Sequence, residues 1–483
     1  MGRINGRAAA LAAAAFLFLA GCDGTVSADL PLSSSTGIAD TSSVQSVAFQ
    51  QQSAPSESLN SSVPQEPPQS SSAVISPSVQ AKDEILGSLR KKLDDASQKR
   101  LDKSFLDWLE KQYGQECLFA LRDKLSGGTW EKEDWHRLTG NTFIVLWDAY
   151  SGAAKNDTVR TVPDTENGSL VIEITGDVSL ADNWKIMPAY DQRNKGLAGI
   201  LSEPTIAELR SADILLVNSE FTFSERGTPI PKKMYTFRAH PSRVSIYHEM
   251  GVDLVSLANN HAFDYGEDAF YDTLDTLKQA DIPYMGGGKN LDEAMRPVYF
   301  LANGRKIAFV AATRAEKNIL TPEAGKDTPG VLRTYNTKRF LEVIRQAREK
   351  SDIVIAYVHW GREGSHSLEK EQIKQGREFI DAGADIVVGA HAHVLQGVEF
   401  YKGKPLVYNL GNFIFNAKTM DTGILKIHLD QNGGLSYEFV PAVQKDCYTQ
   451  IVDGTERERI LKFMEKISID TTFGSDGYFK PKK

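Results

Sequence analysis

Five short polar clusters stand directly behind apolar runs in this chain of 483 residues. VIEIT at 171–175 is followed by Gly176-Asp177, and ILLV at 214–217 by Asn218-Ser219-Glu220. DLVSLA at 253–258 runs into Asn259-Asn260-His261. VIAYV at 354–358 runs into His359-Trp360-Gly361, and ADIVVG at 384–389 into Ala390-His391-Ala392-His393. Histidine is scarce, nine residues in all, yet His261, His359, His391 and His393 all take this position. Imidazole and carboxylate are the usual nitrogen and oxygen ligands of a divalent cation. Burying so many polar groups is costly without partners. A metal is the economical partner, and a purely hydrogen-bonded network is the alternative.

These residues need elements that bring them together. Apolar, β-branched runs at 171–175, 211–217, 252–258, 305–312, 351–358 and 384–390 read as strands. Amphipathic stretches at 198–210, 241–250, 267–280, 338–350 and 368–382 read as helices between them. Strands alternating with helices imply an α/β core with a buried, largely parallel sheet. Its strands' carboxyl ends share one edge, where such proteins build their sites. Runs at 397–411, 423–430 and 435–443 follow without helices, with Gly-Lys at 403–404 and Gly-Gly at 433–434 as turns. They read as antiparallel strands completing a second sheet, with a helix at 455–466 near the end. The expected body is two sheets face to face with helices outside.

The motifs GD at 176–177, NSE at 218–220, TFRAHP at 236–241, ANNHAFDYG at 258–266, VHWGREG at 358–364 and GAHAHVLQGVEFYKGKPLVYNLGNFIFN at 389–416 occur in this order. Together they resemble the CapA family of capsule and poly-γ-glutamate synthesis proteins, over about residues 170–445. The resemblance implies a four-layer α/β/β/α sandwich like that of calcineurin-like metallophosphoesterases, with two divalent ions, Mn, Zn or Fe. It implies Asp177 as the first aspartate ligand and Asn260 as the asparagine ligand. His359, His391 and His393 resemble the histidine ligands. His261 resembles the histidine that assists transition-state charge or protonates the leaving group. Asn218 and Glu220 occupy the stretch that supplies a bridging aspartate in the wider phosphoesterases. Two departures stand out: Ser179 takes the place of the usual Asp-x-His histidine, and Asn218 that of an aspartate. One metal position is then weaker, or Glu220 substitutes.

The resemblance further implies work on an anionic polymer, in its synthesis, export or processing, beside membrane-bound synthase subunits. A general phosphoesterase and a non-catalytic accessory subunit are the competing readings. Arg238 reads either as a ligand for a substrate carboxylate or as a packing residue. Asp264 and Gly266 read as shaping the turn into the next helix, and Gly286-Gly287-Gly288 as a loop. His136, His240, His248, His366 and His428 lack strand-end placement and read as structural or exposed. Glu225 and Glu363 are carboxylates without an assigned role.

The N-terminus carries a different chemistry. Residues 1–22 read MGRINGRAAALAAAAFLFLAGC: Arg3 and Arg7 precede an apolar run at 8–20. That is the secretory signal pattern, and the run is shorter than the ~20 residues a spanning helix needs. Leu19-Ala20-Gly21-Cys22 resembles a lipobox, which implies acylation of Cys22, anchoring to the membrane and an extracytoplasmic location. Residues 23–80 are rich in Ser, Pro and Gln, with no Lys or Arg between Arg7 and Lys82. Such a segment reads as a disordered tether. Residues 81–165 are charged, with apolar residues at helical spacing, and read as an extension of two or three helices. Leu101, Phe105 and Leu109 are expected on one face, and Asp107 beside Lys111. Residues 166–483 are expected to form the main domain. Net charge is −8, without a basic run, which argues against a nucleic-acid partner. Cys117 and Cys447 read as two separate buried thiols, with a single bridge between them in an oxidising compartment as the alternative.

Overall fold

The computed structural model describes residues 77–152, 157–316 and 320–482. The signal segment, Cys22 and the tether up to residue 76 lie outside them. Fifteen strands build the two principal sheets. In chain order they are β1 (Thr158–Thr161), β2 (Leu170–Val178), β3 (Ile214–Ser219), β4 (Leu254–Ser256) and β5 (Tyr284–Met285). Then come β6 (Val298–Ala302), β7 (Arg305–Thr313), β8 (Ile353–Trp360), β9 (Ile386–His391) and β10 (Leu395–Tyr401). The last are β11 (Lys404–Leu410), β12 (Asn412–Ile414), β13 (Met420–Leu429), β14 (Leu435–Lys445) and β15 (Tyr448–Ile451). The first sheet has the order β1-β6-β7-β8-β9-β11-β10, and the second β15-β14-β13-β2-β3-β4-β5 with β12 beside β2. Their centres are parallel: β7-β8-β9-β11 in one, β2-β3-β4-β5 in the other.

Alternation along each strand divides the side chains between layers. Ile307, Phe309 and Ala311 of β7 face the layer between the sheets, as do Ile353, Ile355 and Tyr357 of β8. Ile172 and Ile174 of β2 and Ile214 and Leu216 of β3 meet them from the other side. The intervening Ala308, Val310, Val354 and Ala356 pack under helices Lys338–Lys350 and Lys370–Ala382. Leu215 and Val217 pack under helices Ile186–Arg193, Glu203–Ser211, Val244–Met250 and Glu267–Gln279. Each fully buried Val, Leu, Ile or Phe among them is worth roughly 1.5–3 kcal/mol. The result is a four-layer α/β/β/α metallophosphatase-like sandwich.

One expectation about the sheets is corrected. The hairpin β10–β11 does not join the second sheet; β11 lies parallel to β9 and extends the first. Only β13, β14 and β15 extend the second, antiparallel from β2. Hydropathy cannot distinguish these outcomes, because both place the same residues in the middle layer.

The N-terminal region holds six short helices between Pro77 and Ser151, not two or three. Asp94 and Asp102 cap new helices by accepting from the amides of Ser97 and Phe105, both at 2.8 Å. Gly114 and Gly140, at φ of 82° and 73°, end others. Leu101, Phe105 and Leu109 are buried in a core of this region's own. Asp107 accepts from Lys82 at 2.6 Å, and the expected Asp107–Lys111 pairing is replaced by this tertiary contact. The region is held on the body by Thr142, whose hydroxyl donates to Asp352 at 2.7 Å, and by the Lys306–Asp148 ion pair at 2.7 Å. β1, at 158–161, already belongs to the first sheet. No helix among the described residues is long and apolar enough to cross a membrane. Cys117 and Cys447 are free and buried.

Candidate metal centre

The carboxyl ends of the two parallel blocks bring the polar clusters to one crevice. The second sheet supplies Asp177 from β2, Asn218 and Glu220 from the end of β3, and Asn260 and His261 from the loop after β4. The first supplies His359 from β8, His391 from the end of β9, and His393 just beyond it. Close backbone packing holds the ends in place. The Asp177 amide donates to Gly411 O at 2.8 Å, and a Cβ on Gly176 would come within 2.1 Å of that oxygen. Gly286 is structural in the same way, since a Cβ there would meet the Ala258 Cβ at 2.6 Å.

Two triads are placed to chelate metal: Glu220, His359 and His391, and Asp177, Glu220 and His393. In each, one potential ligand atom per residue lies within 4.8 Å of the others. Glu220 belongs to both. His359 Nε2 is 3.6 Å from Glu220 Oε1, and His393 Nε2 is 3.8 Å from the same oxygen. The Asn218 amide lies 3.3 Å from His359 Nδ1, and His359 Nε2 lies 2.7 Å from Asn260 Oδ1. His359 Nε2, Asn260 Oδ1 and Glu220 Oε1 thus converge on one point.

The donor set fits divalent cations. Glu220 Oε1 and His391 Nδ1 are buried without a hydrogen-bond partner, which is costly unless something electropositive meets them. Burial first, then Asp177, Glu363 and Asp264, raises the Glu220 pKa well above its usual range. Burial, reinforced by the neighbouring histidines, lowers His359 and His391 well below theirs. Both are therefore neutral imidazoles with lone pairs. For His393 burial pulls downward, but the carboxylate of Asp177 at 3.3 Å outweighs it and raises the pKa. His391 and His393 sit at φ of 92° and 58°, which costs a non-glycine residue about 1–3 kcal/mol. The His391 amide donates to Asp177 Oδ2 at 3.2 Å, tying this strained turn to the opposite sheet.

One of the two departures, Asn218, acquires a physical meaning. Asn218 directs its amide nitrogen at Asp177 Oδ1, 2.9 Å, and Glu220 Oε2, 3.3 Å, while its oxygen accepts from Asn259. It braces the carboxylates as a donor. Ser179 is buried, and its hydroxyl has no hydrogen-bond partner.

His261 stands outside both triads but beside them, with Nε2 3.9 Å from Glu220 Oε1. Its Nδ1 meets Asp264 Oδ2 at 2.6 Å. Asp264 is therefore more than a turn residue, although it also accepts from the Phe237 amide at 2.7 Å. Arg238 is engaged elsewhere: its guanidinium stacks 4.2 Å over Tyr265 and donates to the carbonyls of Arg226 and Gly227. Glu363 approaches His391 Nε2 at 4.0 Å, while Glu225 pairs with His240 at 3.3 Å. His136 and His366 bind the carbonyls of Asn303 and Leu395, and His428 pairs with Glu438.

Three further residues emerge from the structure. Lys233 buries its side chain to 5 % exposure and contacts the Asn260 carbonyl, Asp264 Oδ1 at 2.8 Å and Glu316 at 3.3 Å. Thr321 donates to the same carbonyl at 2.6 Å. Asn412 Oδ1 meets His393 Nδ1 at 2.8 Å and so turns Nε2 toward Glu220. Asp264 was detectable as the i+3 neighbour of a strand-end histidine, and Asn412 lay within a recognised motif. Lys233 lies in an irregular loop beside the exposed Met234 and Tyr235, and nothing periodic marks it.

The family model for bacterial capsule synthesis protein PGA_cap matches residues 171–417. The PGA biosynthesis protein CapA of Bacillus subtilis is 30% identical over 310 residues, 62% of this chain and 76% of that one. The capsule biosynthesis protein CapA of Bacillus anthracis is 29% identical over 350 residues, 68% and 80%. A probable polyglutamine synthesis accessory protein of Mycobacterium tuberculosis is 29% identical over 219 residues, 43% and 57%. With its site residues from Asp177 to Asn412 inside the matched span, the chain belongs to the bacterial capsule synthesis protein PGA_cap family.

Proposed function

We propose that this chain is an envelope-anchored, metal-dependent hydrolase acting in the synthesis, export or processing of an anionic capsular polymer, poly-γ-glutamate or one like it. The observation that carries the reading is Glu220, whose unpartnered oxygen is common to two His/carboxylate triads. The Bacillus relatives, a capsule biosynthesis protein and a PGA biosynthesis protein, support the choice of polymer class. The lipobox ending at Cys22 supports the anchor.

Two bound divalent cations would supply Lewis acidity and a water of lowered pKa. Asp177, Glu220, Asn260, His359, His391 and His393 would hold them. His261 would deliver a proton from Nε2 to the leaving group, with Asp264 fixing the ring through Nδ1. Lys233 offsets the charge of Asp264 and, with Thr321, fixes the Asn260 carbonyl. Asn218 keeps the Asp177 and Glu220 carboxylates apart but oriented.

The purified chain, loaded with Mn²⁺, should shorten poly-γ-glutamate, read by size-exclusion chromatography against released amine. Chain shortening that vanishes with chelator and in His261→Ala supports the reading. Metal-dependent turnover of simple phosphoesters with intact polymer would replace it by a general phosphoesterase. A metal-free variant that still sustains polymer production in cells would make the protein an accessory subunit.

A further inference from the structure

A cavity of ≈ 620 Å³ that shares no residue with the metal triads lies between the end of helix Ile186–Arg193 and edge strand β15. Its polar lining is Arg193, Lys195, Lys445, Asp446, Tyr448 and Gln450. Arg193 is fixed by backbone carbonyls: Nη1 donates to Gly199 O at 2.6 Å and Cys447 O at 3.0 Å, Nη2 to Asp446 O at 2.6 Å. Neutral acceptors hold a guanidinium rigid without cancelling its charge. Lys195 and Lys445 are exposed, and neither has an ion-pair partner among the described residues. Three cations therefore face one carboxylate, in a chain whose net charge is −8.

The wall of this cavity is coupled to the metal centre by a short segment. Gln444 accepts from the amides of Phe415 and Asn416 at 2.9 and 3.0 Å and donates to Asn416 Oδ1 at 2.8 Å. The Asp446 amide donates to Ala417 O at 3.1 Å. Phe415 in turn lies 4.6 Å from the His393 ring. The strand that presents Lys445 to the cavity thus also sets the segment that walls His393.

We infer that this cavity is an anion subsite, which holds carboxylates of a polyanionic chain while another part of the same chain occupies the metal centre. The inference rests on the polymer reading above and gives it a basis for preferring long substrates. A simple phosphoester needs only the metal centre. A polymer held at two points gains affinity through effective concentration, and fixed positive charge in a cleft attracts anions over the distance of a Debye length.

The test is fluorescence anisotropy of labelled poly-γ-glutamate, with labelled polyphosphate in parallel, titrated with the full chain in detergent. The variants are K195E/K445E and the milder K195Q/K445Q, with Arg193 left intact because it braces the backbone. Both lysines are exposed, so metal content and Tm should match the parent. Reversing two exposed charges should weaken poly-γ-glutamate binding about tenfold at ~0.15 M salt, with a smaller effect for the glutamine pair and a shrinking difference at higher salt. Unchanged affinity in K195E/K445E overturns the subsite. Failure of the parent to bind either polyanion overturns it as well. Polyphosphate binding that depends on the two lysines, with no binding of poly-γ-glutamate, would uphold the subsite and sink the polymer assignment alone.

Discussion

Replacing Glu220 by Gln interrogates both metal positions at one residue. The variant keeps shape and the hydrogen bond from Asn218 but removes the charge common to the two triads. Metal content should fall from two equivalents toward none, whereas His391→Ala and His393→Ala should each deplete chiefly one position, because each histidine belongs to one triad. The stability consequence changes sign with metal. At a hundredfold excess over Kd, each bound ion stabilises the parent by ~2.7 kcal/mol, or ~5 kcal/mol for two. An unfolding entropy of ~2.1 cal/mol/K per residue over ~400 residues converts this to roughly 6 °C. In chelator the parent instead carries a buried carboxylate oxygen with no donor, a cost of ~1–3 kcal/mol. Glutamine lightens that cost, so the variant should melt about 1–3 °C above the parent. Elemental analysis and paired melting curves, with Mn²⁺ and with chelator, read both effects. Two retained equivalents in Glu220→Gln, or equal metal-induced shifts in variant and parent, would refute Glu220 as the shared ligand.

Three other outcomes are expected. His261→Ala should keep both metal equivalents while lowering any hydrolytic rate by about 10²–10⁴-fold, measured on the same metal-loaded preparation; loss of metal would place His261 in the ligand set instead. Glu173, buried 3.3 Å from Lys426, has its pKa raised to about 8, by burial first, then by Glu208 against the opposing pull of Lys426. A raised folded-state value contributes stability that is full below about pH 4.5 and lost as pH rises through about 8, so urea midpoints in chelator should fall across that window in the parent and fall less in Glu173→Gln. Cys22→Ala should move the chain from the membrane to the soluble fraction, scored by fractionation, and a variant that still pellets with membrane would remove the lipid anchor.

Period-two alternation of apolar residues, as in Ile307-Ala308-Phe309-Val310, carried the sheets into the sequence, because each residue must choose one of two buried layers. The strand-end histidines were legible because a polar residue directly behind such a run has little to do but line the crevice. Sheet membership was not legible for the hairpin from Leu395 to Leu410, since its apolar faces suit either sheet and only the parallel pairing with β9 decides. Nor was β1, four residues of middling polarity at the edge of a sheet. In the site, residue identity announced candidate ligands but not orientation. That Asn218 points its nitrogen, not its oxygen, at the carboxylates follows from Asn259 occupying the other side. Lys233 escaped because its placement depends on three acceptors distant in sequence, and its loop neighbours Met234 and Tyr235 are exposed.

The substitution of asparagine for the bridging aspartate of the wider phosphoesterases is then accounted for by geometry. Residues 218 and 220 are two apart at the extended end of β3, so their side chains leave the same face toward the same crevice. A carboxylate at 220 reaches the point between the triads, 3.6 Å from His359 and 3.8 Å from His393. A second carboxylate at 218 would stand against Asp177 and Glu220 at the 2.9 and 3.3 Å now spanned by donor–acceptor contacts. Asparagine converts that repulsion into two hydrogen bonds and leaves the charge to Glu220, the residue common to both triads. Restoring the aspartate alone, Asn218→Asp, should therefore weaken the metal-free protein without adding a third equivalent of metal, whereas Asn218→Asp combined with Glu220→Gln should recover binding that Glu220→Gln lacks. Failure of that pair to recover any metal would mean that position 218 cannot reach the ions.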